Sequence, residues 1–241
     1  MEAIRYLDTV KIQKYASEFR VKMYASGSDE HNSDSEKTRR YHHGDLRQAL
    51  IRSAEALIAE KGIAGFTLRE CARRAGVSPS APSHHFGHVA GLLSAIAALG
   101  FADLANAMEH AKDQAQGNAL DELQAIGESY ITVAMMNPPR FRITFGQMPL
   151  DWSNPELLHE AERAFGILER QVITIRGESG AGDPALDTQA ASVAAWSIVH
   201  GFSTLLLDGR LTRFGVDVDP EKSVKNLAQK MLKMLINGIE N

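Results

Sequence analysis

Thr67 to Phe86 reads TLRECARRAGVSPSAPSHHF, two short helical stretches parted by a glycine and a Ser-Pro pair. Thr67 is placed to cap a helix with its hydroxyl. Glu70, three residues on, is placed to reach back to the N–H of that cap, the reciprocal capping box. A helix is therefore expected from Leu68. Leu68, Cys71, Ala72 and Ala75 recur at helical spacing, with Arg69, Arg73 and Arg74 on the other sides, so the segment has an apolar inside and a basic outside. Gly76 supplies the freedom for a sharp turn, and Val77 an apolar plug where two helices diverge. Ser78 and Pro79 are expected to restart a helix as N-cap and first helical residue. Two helices joined this way form a helix-turn-helix, whose second helix is the candidate for a DNA major groove.

Working outward, Asp45 to Lys61 carries a strong amphipathic pattern. Leu46, Leu50, Ala54, Leu57 and Ile58 form its inner stripe, Gly62 is its stop, and Phe66 packs where it meets the next helix. Upstream, ASGSDEHNSDSEK (Ala25 to Lys37) has too little apolar surface to repay ordering. Residues 1–38 are thus expected to be a flexible extension, either an accessory arm or a segment with no specific role and a true start at Met23. Arg39 and Arg40, just before the reading segment, suit a minor groove or are simply solvated charge.

The 241 residues allow one or two domains. The formal charge of −4 hides an asymmetry: Arg39 to Leu93 holds 8 Lys or Arg against 4 Asp or Glu, so this part alone is suited to phosphates. The single cysteine, Cys71, permits no intrachain disulfide and falls at a core position. Nothing reads as a signal peptide or a long apolar span, and a cytoplasmic location without membrane association is the default expectation.

Beyond Val89 the pattern is helix after helix: Ala90–Ala115, Leu120–Met136, Arg140–Gln147, Pro155–Arg176, Pro184–Leu207 and Pro220–Ile239. In Pro155–Arg176, Leu158, Ala161, Phe165 and Leu168 are expected to face inward. The fold class is all-α, with a three-helix DNA-binding domain at 39–89 and a helical bundle at 90–241. Phe101, Met108, Tyr130, Met135, Phe141, Phe145, Met148, Trp152 and Phe165 supply large, adaptable apolar surface, and core filling accounts for most of them. Trp196 and His200, at i and i+4, project together from one helix face, as core or as pocket lining.

YHHGDLRQALIRSAEALIAEKGIAGFTLRECARRAGVS, continuing through HHF to about Ala98, resembles the N-terminal domain of TetR/AcrR-type transcriptional regulators. Trp196, His200 and Gly201, in AAWSIVHGFSTLLLDGRL, resemble the Trp-x3-His-Gly signature of the WHG-type C-terminal domain in one branch of that family. The resemblance implies a DNA face made of Arg40, Tyr41, His42, Thr67, Arg69, Ser78, Pro79, Ser80, Ser83, His84 and His85, with base reading expected from Pro79, Ser80 and Ala81 at the start of the second helix and Ser83 and His84 nearby. For Ser78 and Pro79 helix-start geometry alone is the favoured account, and for His42 and His43 a capping or purely structural role is an equal one.

Two departures stand out. Ser83 occupies a position where many members carry a phosphate-touching Tyr, and Val89 one where many carry Lys. Loss of both anchors is expected to weaken nonspecific affinity and flatten its salt dependence. Pro82, if Ser78 is the cap, also restricts the recognition helix.

By the same resemblance, a subset of Phe101, Met108, Tyr130, Met135, Phe141, Phe145, Trp152 and Phe165, with Trp196 and His200, lines a pocket for a small apolar or amphipathic effector. The last two helices would build a homodimer through Ala190, Val193, Ala194, Ser197 and Leu205 on one and Val224, Leu227, Met231 and Leu235 on the other. The expected function is a ligand-responsive regulator, a repressor first, that binds a palindromic double-stranded operator and is released by effector.

No cofactor is implied and no catalytic constellation is found. His84 and His88 are the one usable histidine pair, without a cysteine or carboxylate at ligand spacing. His159-Glu160 starts like a zinc-protease motif but meets Arg163 where the second histidine belongs. The glycine-rich stretch Gly177 to Ala185 lacks the Lys-Ser/Thr ending of a phosphate loop. Two other classes stay open: a helical enzyme or ligand carrier with a vestigial head, and an effector-independent DNA binder.

Overall fold

The computed structural model describes residues 37–177, 185–214 and 220–239, with backbone only for 37–45, 220–223 and 237–239. Most of the expected N-terminal extension and of the glycine-rich loop lie outside the described residues.

The described residues are all-α: α1 (Lys37–Lys61), α2 (Leu68–Ala75), α3 (Ala81–Phe86), α4 (Val89–Gln114), α5 (Ala119–Met136), α6 (Pro138–Phe145), α7 (Pro155–Arg176), α8 (Leu186–Leu207) and α9 (Pro220–Ile239), with 3-10 turns at Ile63–Gly65 and Thr212–Phe214. They form two compact units. One takes residues 37–100 and 139–159; the other takes residues 101–138 and those from 160 onward. The first turns of α4 and the segment 139–159 thus group with the helix-turn-helix.

In the first unit the inner stripe of α1 is buried as its spacing predicts. Leu50, Ile51, Ala54 and Leu57 meet Cys71 of α2, Leu92, Leu93 and Ile96 of α4, and Ile143 of α6. Ser53 Oγ donates to the Cys71 carbonyl at 2.9 Å and Cys71 Sγ to the Leu50 carbonyl at 3.3 Å, which ties α2 to α1. Burial pushes the Cys71 thiol up, so it is a neutral core group. Gly62, at φ 69°, ends α1.

A second junction holds α6. Arg140 Nε donates to Glu55 Oε1 at 2.6 Å, with the two side chains only 14% and 12% exposed. Beside it α4 and α6 close tightly: a Cβ added at Gly100 would lie 2.1 Å from Thr144 Oγ1 and 3.4 Å from Arg140 Cγ. The loop after α6 is pinned by the Asp151 N–H, which donates to Ser94 Oγ at 2.7 Å.

The second unit is a bundle in which α5 packs on α8 and α9. Asn118 and Asp121 form a capping box at the start of α5, and Gln171 Nε2 donates to the Ala119 carbonyl at 2.7 Å. Arg163 on α7 is held by Glu109 and Glu160, each at 2.8 Å, and by Asn106.

The structure corrects several expectations. The first helix begins at Lys37 rather than Asp45, so residues 37 and 38 are helical. On α7 Leu158 is 44% exposed, while Leu157, Ala161, Ala164 and Ile167 are buried; the inner stripe is rotated by about one residue from the expected one. Two helices, α4 and α8, are long and apolar enough to cross a membrane by composition, although no such span was expected. In α4 61% of the most apolar window is buried inside the protein, as befits a core helix; in α8 the share is 28%.

Candidate nucleic-acid interface and buried cavity

The helix-turn-helix forms largely as its residues dictate. Thr67 Oγ1 accepts from the Glu70 N–H at 3.2 Å and caps α2. Gly76 follows in the left-handed conformation at φ 69°, and its N–H is shared between the Ala72 and Arg73 carbonyls. The other half of the expected capping box is replaced. Glu70 turns its carboxylate onto Arg73, with contacts of 2.7 and 2.8 Å, because a charged guanidinium outcompetes a backbone N–H. That hydrogen bond holds the Glu70 carboxyl at about 2.

The start of the second helix also moves. Ser78 accepts at its carbonyl from the Ala81 N–H at 3.0 Å, a turn rather than a helix cap, and α3 begins at Ala81 with Ser80 as N-cap. Pro82 therefore falls in the first turn, where its missing N–H is no loss, and its ring is buried. The restriction expected of Pro82 rested on Ser78 being the cap, and it disappears with that assignment. After α3, the Gly91 N–H donates to His88 Nδ1 at 3.2 Å. A Cβ at Gly91 would sit 2.0 Å from the Phe86 carbonyl oxygen, so only glycine fits this close turn.

Thr67, Arg69, Ser78, Pro79, Ser80, Ser83, His84 and His85 are all exposed on this unit. The surface is small, polar and only moderately charged. Arg73 is paired with Glu70, and Arg74 with Glu60 at 2.7 Å. Among the described residues Arg69 has no such partner. Arg47 bonds Glu156 at 3.2 Å and lies 5.7 Å from the centroid of the Phe86 ring, holding the end of α3 against α1. Val89 packs on the core, where a lysine would have stayed in water. Arg40, Tyr41 and His42 lie in the first turns of α1, where the backbone alone is described. Among the described residues no group of three or more His, Cys, Asp or Glu is placed to hold a metal ion.

The second unit holds an apolar cavity, partly open to solvent, between α4, α5, α7, α8 and α9. Met108, Tyr130, Phe165 and Trp196 line it, together with residues that spacing alone did not single out, such as Leu104, Ile126, Gly127, Val199 and Leu232. Their spacing marks them as inner-face residues and cannot separate a pocket wall from a filled core. Gly127 lets α5 approach α9: a Cβ there would meet Leu232 Cδ2 at 2.7 Å.

The other expected pocket residues fall elsewhere. Phe101 is buried behind Phe165, with ring centroids 5.7 Å apart, and Met135 is buried on α5. Phe141 and Phe145 pair at 4.9 Å on α6, and Trp152 is half exposed in the loop that follows; all three belong to the first unit.

Tyr130 and Trp196 of the cavity wall pack against His200, which was expected in the lining and stands outside it. Tyr130 Oη and His200 Nδ1 are 2.9 Å apart, the Trp196 and His200 rings 5.8 Å, and Phe165 meets Trp196 edge-on at 5.1 Å. Burial pushes the Tyr130 phenol far up, with the nearby Trp196 indole N–H pulling slightly the other way, and burial pushes His200 down, so both are neutral at pH 7. The Trp196 N–H is itself buried and makes no hydrogen bond of normal geometry.

The outer face of α8 carries Ala190, Val193, Ala194, Ser197 and Leu205, all exposed, with Val193 at 58%. A Cβ at Gly201 would meet only open space. On α9 the expected outer stripe is corrected: Val224 is buried and Leu235 lines the cavity, whereas Met234, not singled out before, is 77% exposed.

Known proteins share both units. A family model described as bacterial regulatory proteins, tetR family, matches residues 50–96, and one described as tetracyclin repressor-like, C-terminal domain, matches residues 123–231. A protein of unknown function from a Rhodococcus species is 28% identical, with a TM-score of 0.61 over 81% of this chain and 98% of that one. The TetR family regulator PfmR from Thermus thermophilus has a TM-score of 0.57 at 20% identity, covering 80% of this chain and 99% of its own. FadR from Bacillus subtilis, solved in complex with stearoyl-CoA, has a TM-score of 0.57 at 17% identity, covering 79% and 98%. No curated protein matches the sequence.

Proposed function

The chain is a TetR-type transcriptional regulator, and from that premise we propose that it binds a palindromic operator as a homodimer, represses, and lets go when an effector fills the cavity of its second unit. The observation that carries the reading is the exposed run Ser80, Ser83, His84 and His85, presented by a helix whose other side, at Pro82, is buried. Small hydroxyl and imidazole groups at that position suit thymine methyls, phosphates and groove shape more than bidentate base contacts.

Pairing of two copies is supported by α8, an apolar helix that leaves Val193, Ala194 and Leu205 in water. Such a face is stable when a second copy covers it. Effector response is supported by the cavity and by α4, which supplies Leu104 and Met108 to its wall and Leu92, Leu93 and Ile96 to the core under the reading helices. FadR, a structural neighbour, binds an acyl-CoA; an apolar or amphipathic effector is proposed here by the same reasoning. A ligand that binds the two states of α4 unequally shifts DNA affinity by that difference.

The test is selection of bound fragments from random DNA with the purified protein, followed by anisotropy titration of the enriched sequence. The expected result is an inverted repeat with half-sites about one helical turn apart, bound roughly tenfold or more weakly by Ser83→Ala with His84→Ala. Enrichment of no sequence, or full binding by a monomer, overturns the reading.

A further inference from the structure

We propose that His88, in the turn between the reading helix and α4, is a DNA-backbone contact: its Nδ1 caps α4 and its Nε2–H donates to a phosphate at the edge of the major groove. The inference rests on reading α2 and α3 as the DNA-facing pair, and it adds to that face a residue not expected on it.

The turn is held in one shape by short-range bonds. The Gly87 N–H donates to the Ser83 carbonyl at 2.9 Å and the His88 N–H to the Phe86 carbonyl at 2.8 Å. The His88 carbonyl then accepts from the Leu92 N–H at 3.2 Å, and His88 Nδ1 accepts from the Gly91 N–H at 3.2 Å. His88 thus stands where helices usually carry Ser, Thr, Asn or Asp as N-cap. An imidazole can accept only through an unprotonated ring nitrogen, so the cap leaves the proton on Nε2. A serine or asparagine cap ends at the helix, whereas the imidazole carries a donor on the far side of its ring. The residue is exposed, and among the described residues that second nitrogen has no partner.

Its place on the DNA follows from the length of α3. Six residues rise about 9 Å, somewhat less than the roughly 12 Å width of a B-DNA major groove. A helix that puts its first residues at the base edges therefore brings the turn behind its last residue to the sugar-phosphate wall, as the far end of the reading helix meets the backbone in homeodomains. Val89, the next side chain, packs into the core and offers that wall nothing. The Asp151 carboxylate, from the loop after α6, lies within the field of His88. Its Oδ1 is occupied by the Ser153 N–H at 3.0 Å and hydroxyl at 2.6 Å, which hold that carboxyl below the usual carboxylate range. A lysine at this corner would be drawn to Asp151 by its charge; a neutral N–H donor is not, and stays available to a phosphate oxygen.

The test uses the full chain and an operator enriched from random DNA. His88→Ser and His88→Asn keep a cap and remove the donor. Both should melt within about 1 °C of the parent yet bind operator roughly five- to tenfold more weakly at pH 8. The slope of log affinity against log salt should not change, because the lost contact carries no charge. His88→Ala, which loses the cap as well, should bind as weakly and melt about 2–4 °C lower. Uncharged methylphosphonates, placed one at a time along a half-site, locate the contact: at one position the parent should lose severalfold more binding than His88→Ser. Nitrogen NMR of the imidazole in the free protein should show the Nε2–H tautomer for the ring signals missing from His88→Asn. Parent-like binding by the two capped variants overturns the proposal, as does an Nδ1–H tautomer or equal methylphosphonate losses in parent and variant at every phosphate. So does a melt of His88→Ser lowered as far as that of His88→Ala, which would make the residue purely structural. If the parent selects no operator, the DNA reading and this contact fall together; if it selects one that His88→Ser binds in full, only this contact falls.

Discussion

The ion pair between Arg140 and Glu55 offers a sharp quantitative test of how the reading unit is held together. The two groups are 2.6 Å apart and nearly out of water, with α6 on one side and α1 on the other. With charge centres about 4 Å apart and an effective dielectric near 20, their attraction is about 4 kcal/mol, most of it offset by the desolvation of both ions. Removing one partner leaves that desolvation uncompensated. Arg140→Met should therefore lose about 3 kcal/mol of stability, and Glu55→Leu a similar amount. For a chain of this size such a loss lowers the melting temperature by roughly 6–12 °C. The double variant Glu55→Leu with Arg140→Met leaves no buried charge and should recover most of the loss, giving a coupling energy of about 2 kcal/mol or more. Urea unfolding of the parent, both single variants and the double variant, followed by circular dichroism, closes the cycle. Single variants within about 0.5 kcal/mol of the parent, or a double variant destabilised by the sum of the two, would refute the reasoning.

Other outcomes follow from the same structure. Glu70 should titrate at about 2, followed by carboxyl carbon shifts, and return toward the ordinary value of about 4.3 in Arg73→Ala. Because the folded value is depressed, the pair's contribution is complete above about 4.5 and fades as the pH falls toward 2. Glu70→Gln frees the Arg73 guanidinium for phosphate, so random-sequence DNA should bind more tightly and the salt slope should steepen by about one unit; an unchanged slope counts against it. Gly91→Ala should cost about 3 kcal/mol because its Cβ meets the Phe86 carbonyl. Gly76→Ala, with nothing within 4 Å, should cost only the left-handed backbone penalty of about 1–2 kcal/mol, and thermal melts rank the two. Val193→Glu on the exposed face of α8 should yield a folded monomer by light scattering that no longer binds operator; a dimer that survives it argues for another interface.

Local chemistry was legible along the chain. The bounds of α2, α7 and α9, the Thr67 cap, the left-handed Gly76 and the buried stripe of α1 all follow from interactions within a turn or two of helix, where side-chain type and spacing act directly. The same locality explains the misreadings. Ser78-Pro79 and Ser80-x-Pro82 are both acceptable helix starts, and the choice was made by burial of the Pro82 ring rather than by either cap. Leu157 and Leu158 are adjacent, so a helical period alone cannot say which faces in. The pairing of Arg140 with Glu55, 85 residues apart, has no periodic signature. The cavity depends on the same kind of information. That Tyr130 meets His200, that Gly127 admits Leu232, and that Phe141, Phe145 and Trp152 belong to the other unit are decided by which helix faces are brought together. Helical spacing assigns a residue to a face; only the packing of one face against another determines whether that residue closes a core or leaves a space.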